Sequence, residues 1–157
     1  MLIVDILSRI IHVLTAITLV GGSIFTLLVL LPSAKELTED AHNTLAAAVT
    51  GRWKRFVHNG ILLFLVTGMY NYVRAVPLHK GDGLYHALVG TKMLLALGIF
   101  FLAAALVGRS AKLESIRQHR AKWLRVLVLL AVVVVAISGF VKVRGPVTAD
   151  VAAQVTQ

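Results

Sequence analysis

The chain has 157 residues, no cysteine, 58% apolar residues and a formal charge of +9, from 16 Lys/Arg against 7 Asp/Glu. It is too apolar for a disordered chain, and without cysteine it holds no disulfide, no thiolate-bound iron–sulfur cluster and no thiolate zinc site. Its basic residues cluster between long apolar runs, which points to membrane topology rather than to nucleic acid.

Four apolar stretches follow one another along the chain. Residues 10–34 carry no Asp, Glu, Lys or Arg, and neither do residues 56–73. Residues 83–108 carry one charge, Lys92, and residues 126–141 carry none. A helix needs about 20 such residues to cross a bilayer. The expected fold is therefore an all-α integral membrane protein, a four-transmembrane-helix bundle forming a single membrane domain over residues 1–157. Its helices are expected at about 5–32, 53–75, 84–108 and 122–143. The first is not a cleavable signal peptide: no basic segment precedes it, and Asp5 is its first charge.

Between the first two spans, Ser33 with Glu36 has the spacing of a capping box, and Thr38-Glu39-Asp40 reads as a helix start. A helical extension over 38–52 is expected to lead into the second span, with Gly51 and Gly60 as candidate kinks. Residues 110–122 are polar and basic, enough for one or two helical turns. The loop at 77–83 is short.

Call the end that holds the N-terminus side A. Arg9, Arg74, Lys80, Lys142 and Arg144 fall there. Side B carries ten: Lys35, Arg52, Lys54, Arg55, Arg109, Lys112, Arg117, Arg120, Lys122 and Arg125. Basic residues mark the cytoplasmic side of a membrane protein. The sequence thus predicts an inner (cytoplasmic) membrane of bacterial type, side B inside, and both termini outward. Trp53 and Trp123 fit the side-B boundary, and Tyr70, Tyr72 and Tyr85 the side-A one.

Polar residues inside a bilayer are costly and mark candidate sites. His42, His79 and His119 fall in connections and read as solvated. His12, one turn into the first helix, and His86, near the start of the third, lie at matched depth. Two imidazoles so placed are the pattern for axial ligation of a haem iron, so haem b is the expected cofactor. Gly90 follows His86 by four residues, and Ala16 follows His12 by four, leaving room for a flat ring. Arg9, Arg74, Tyr85 and Lys92 are the candidates to hold its propionates. His58 has no partner at its own depth and is a second-site candidate. The alternative is that these histidines are interfacial and the small residues serve helix packing. Met69 and Met93 admit copper as an alternative cofactor, since thioethers suit Cu(I). The acids lie at or outside the boundaries, which disfavours hydrolase and proton-pump chemistry.

Arg9-Ile10-Ile11-His12 and Gly21-Gly22, then Arg55-Phe56 and Thr67-Gly68-Met69-Tyr70, then Tyr85, Leu88 and Lys92-Met93-Leu94 together resemble the membrane domain of the copper-resistance protein D family. More loosely, they resemble the J-type protoporphyrinogen oxidases, a small four-helix membrane family linked to haem. The resemblance covers roughly residues 6–108. It matches His12 and Lys92 to the histidine of the first helix and the lysine of the third, and leaves His58 and His86 unmatched.

The expected function is that of a membrane b-type haem protein in electron transfer, or an oxidoreductase acting on a lipophilic reductant such as a quinol or porphyrinogen. The alternative is a copper or small-solute transport component without haem. Expected partners are membrane lipid, a second copy of the chain, and a quinone or redox protein, with no nucleic acid.

Overall fold

The computed structural model describes residues 2–146, and every element in them is helical. Four helices are long and apolar enough to cross a membrane. The first, α1, is one span, Leu2–Glu36. It is α-helical over Leu2–Phe25, opens into a π turn over Thr26–Leu30, and closes through Leu31–Ser33 and a 3-10 turn at Ala34–Glu36. Pro32 accounts for the π turn. Its missing N–H and its ring displace the carbonyl four residues back, and the Leu31 N–H reaches Thr26 O instead.

Helix α2 runs unbroken over Glu39–Ala75, with a 3-10 turn at Val76–His79. The extension and the second span are thus one helix, and Gly51 and Gly60 lie inside it. Thr38 is its N-cap residue in extended backbone, with Glu39 and Asp40 in the first turn. The Ser33–Glu36 capping box does not form, because α1 remains helical through both residues. Helix α3 covers Gly83–Val107, α4 is the short Glu114–Gln118 after a 3-10 turn at Ala111–Leu113, and α5 covers Arg120–Arg144.

The four long helices form a ring. Helix α1 packs on α2, α2 on α3, α3 on α5, and α5 returns to α1. Helices α1 and α3 are therefore diagonal to each other. At side A the helix ends are tied by ion pairs. Asp5 of α1 accepts from Arg74 Nε at 3.0 Å and from the Tyr70 hydroxyl at 2.8 Å, both on α2. Asp82 caps α3 by accepting from the Tyr85 N–H at 3.0 Å, and its other oxygen takes Arg144 Nη1 of α5 at 2.7 Å. Gly81 turns the chain into that cap with φ +82°, a conformation that favours glycine.

At side B, α2 projects. Its 37 residues make about 55 Å of helix, against about 30 Å of hydrocarbon. The apolar core of the bundle also lies toward side B. Leu102 and Leu106 of α3 pack there with Leu124 and Leu127 of α5, flanked by Ile99, Trp123 and Leu130.

Candidate functional site

The seam between α1 and α2 holds the chemistry. Its α1 side is Asp5, Ser8, His12, Thr15, Leu19, Gly22 and Thr26, with spacings of three and four in alternation. That is a heptad pattern, the geometry of two helices winding about each other. Here most of its positions are small or polar. The partners on α2 step by seven: Arg74 meets Asp5, Thr67 meets His12, Gly60 meets Leu19, and Trp53 lies against Gly22. The last two contacts leave no room for a Cβ unless the facing side chain shifts. A Cβ on Gly60 would come within 2.5 Å of Leu19, and one on Gly22 within 2.2 Å of the Trp53 ring.

Hydroxyls in this seam have few solvent partners, so they bond to their own helices. Thr15 donates to Ile11 O at 2.7 Å, Ser23 to Leu19 O at 2.7 Å, Thr26 to Gly22 O at 2.7 Å, and Thr67 to Leu63 O at 2.6 Å. Ser8 is the exception. Its hydroxyl is buried without a hydrogen-bond partner among the described residues, one turn from His12.

The Thr67 bond sets the tautomer of His12. Thr67 Oγ1 stands 2.8 Å from His12 Nδ1. Its one hydrogen already goes to Leu63, so it accepts from His12, and Nδ1 carries the proton. In the neutral ring, Nε2 is left with a free lone pair. The imidazole meets Phe64 edge-on at 4.9 Å, and Phe64 stacks on Phe100 of α3 at 5.7 Å. A half-buried histidine is thus held in one orientation with one nitrogen available.

Two cations join it. Lys92, half-buried on α3, lies within charge range of His12, and Arg9, exposed on α1, lies within charge range of Lys92. Asp5, the nearest acid in sequence, is already held by Arg74. The His12 region is therefore cationic and lacks a partner of opposite sign among these groups.

The other expected site residues fall as follows. Tyr85 is buried and stacks on His79 at 3.6 Å. It lies seven residues before Lys92, on the same inward face of α3. His86 and Gly90 are exposed, on the outward face. No hydrogen bond or ring contact joins His86 to His12 among the described residues, and their helices are diagonal. Arg74 is engaged by Asp5. His58 is exposed, its Nδ1 2.7 Å from Lys54 O. Gly51, Lys54, Arg55 and Asn59 surround it in an open depression toward side B.

Haem ligated by His12 and His86 of one chain does not fit this arrangement, because one imidazole turns inward and the other turns out. Among the described residues Lys92 and Arg9 make no ion pair, so they and the free Nε2 of His12 are the groups this end of the seam leaves unengaged. Among the described residues no group of three or more His, Cys, Asp or Glu stands ready for a metal ion. Sequence reasoning missed Ser8, Thr15 and Thr67. For Ser8 and Thr15 the signal was the three–four spacing of small and polar residues from Asp5 to Thr26.

No protein-family model, curated protein or solved structure matches the chain.

Proposed function

We propose that the chain is an integral membrane protein that binds an acid-bearing, lipid-soluble molecule of the tetrapyrrole class, haem or a porphyrinogen, in the side-A half of the bundle. The observation that carries this reading is His12: half-buried, oriented by Thr67, with Nε2 free and Lys92 in charge range. An uncompensated cation in a bilayer calls for an anion. Lys92 and Arg9 would meet the propionates, and His12 Nε2 the iron of haem or a ring N–H of a porphyrinogen. Haem, when bound, would supply one-electron chemistry, whereas a porphyrinogen would be the reductant that gives up electrons. The chain supplies binding, orientation and the cationic field. Electrons would pass to a lipid-soluble quinone or to a redox protein.

The ten-to-five asymmetry of basic residues supports side B in the cytoplasm of a bacterial-type inner membrane, with both termini and the His12 site outward. The looser of the two resemblances, to the J-type oxidases, agrees with this ligand class, while the resemblance to the copper-resistance protein D family agrees with the copper alternative. A second copy of the chain would be the natural source of any further ligand, His86 included, since that residue faces outward.

Absorption spectra of the protein purified in detergent, oxidised and dithionite-reduced, test the reading. A tetrapyrrole band is expected, lost in His12→Ala, weakened in Lys92→Met and unchanged in His86→Ala of the monomer. Thr67→Val releases the ring and should weaken binding about fivefold, the worth of one hydrogen bond. A colourless protein from haem-replete cells that takes up neither haem nor porphyrin would overturn the proposal. Copper in stoichiometric amount would favour the transport alternative.

A further inference from the structure

A second site lies at the opposite end of the bundle. Where α1 ends, a cavity of about 240 Å³ opens between α1, the projecting start of α2 and the α4–α5 corner. Its walls are apolar: Leu30 and Leu31 of α1, Leu45 and Val49 of α2. Its polar groups are His42, Arg117 and Arg120.

Both arginines are incompletely satisfied. Arg117 gives Nη2 to Glu114, and its Nη1 is buried without a partner among the described residues. Arg120 gives Nη1 to Thr50 at 3.3 Å, and its Nε is likewise buried and unpartnered. Burying a charged N–H without an acceptor is unfavourable. Two such groups on side chains lining one cavity point to an anion that completes them. His42 anchors the wall through Nδ1, 2.8 Å from Ala34 O, which leaves Nε2 free.

The cavity sits at the depth of a headgroup. In the α1–α2 register, Thr26 is level with Trp53, and the remaining lining residues of both helices lie beyond them toward side B. A tryptophan at a bundle end marks the membrane interface. The π turn at Thr26–Leu30 forms part of the wall, a local widening of the kind found at binding sites. Phosphate matches paired guanidinium groups, and basic pockets between transmembrane helices take anionic headgroups.

We propose that this cavity binds the phosphate headgroup of an anionic phospholipid through Arg117 and Arg120, with the start of its acyl chain against Leu30, Leu31, Leu45 and Val49. The lipid would staple the projecting α2 to the α4–α5 corner.

The test uses the full chain in detergent, titrated with phosphatidylglycerol, phosphatidylcholine or inorganic phosphate, reading bound lipid by native mass spectrometry and the thermal midpoint by circular dichroism. Phosphatidylglycerol should bind and raise the midpoint, phosphatidylcholine should do so at least about tenfold more weakly, and Arg117→Gln with Arg120→Gln should abolish the preference. Ala46→Phe fills the cavity while keeping both arginines, and should lose the lipid without loss of helicity. Equal binding of both lipids, or a preference that survives in both variants, overturns the site. Full stabilisation by inorganic phosphate alone overturns the lipid assignment. Variants at this end leave the His12 spectrum unchanged, so the two sites fail or stand separately.

Discussion

The bundle has two seams of opposite character. Between α3 and α5, toward side B, Leu102, Leu106, Leu124 and Leu127 interlock as they would in a water-soluble core. Between α1 and α2 the contacts are Asp5, His12, Leu19 and Gly22 against Arg74, Thr67, Gly60 and Trp53, with Ser8 and Thr15 buried on the same stripe of α1. Lipid tails are as apolar as leucine, so burying leucine between helices gains packing but little transfer energy. Small residues gain by letting backbones approach, and polar ones by bonding where no water competes. The leucine seam is thus suited to holding the bundle together, and the polar seam to aligning two helices and presenting groups between them.

Three experiments set the seams against each other. The largest effect should come from Leu106→Ala, which leaves a hole in the leucine seam and should cost about 2–4 kcal/mol in SDS-titrated unfolding. A loss under about 1 kcal/mol would mean that this seam is not the main source of stability. Next, Gly22→Ala drives a methyl into the Trp53 ring and should cost about 1–3 kcal/mol. Trp53→Leu should relieve it, so the double variant is more stable than Gly22→Ala alone. Additive losses in that cycle would refute the close contact.

The smallest effect concerns the side-A tie of the leucine seam's own helices. The Arg144 guanidinium, and then the Tyr85 N–H, hold the Asp82 carboxyl below its ordinary value of 3.8. A lowered value means that the stabilisation is full above the ordinary value and fades as pH falls from there through the lowered one. The wild type should therefore be more stable than Asp82→Asn at neutral pH, with the gap closing only below about pH 4. A gap that closes already between pH 5 and 7 would refute the Asp82 carboxylate as its source.

Hydropathy made the four spans legible, and Thr38-Glu39-Asp40 marked the start of α2. The continuity of α2 through Gly51 and Gly60 was not legible, because a glycine weakens a helix without ending it when neighbours pack against it. The inward face of α3 was harder. His86, Gly90 and Met93 share one stripe, and Tyr85, Lys92 and Ile99 share the next, about 100° around the helix. In water the apolar stripe turns inward, but in lipid both stripes are tolerated outside. Packing decides, and here it turned Lys92 inward and His86 out. His12 was readable as a candidate. Its tautomer was not, since that depends on a hydroxyl 55 residues away.

The seven-residue stride of the α1–α2 seam works like the teeth of a keyed zipper. Sliding α1 along α2 in either direction takes Leu19 out of the Gly60 notch and Gly22 from under Trp53. Sliding by seven keeps the stride but sets His12 against Gly60, Thr15 under Trp53 and Asp5 opposite Thr67, and leaves Arg74 without its acid. The two helices thus have one alignment in which steric fit and charge agree, and the free nitrogen of His12 is held at a single level along the bundle.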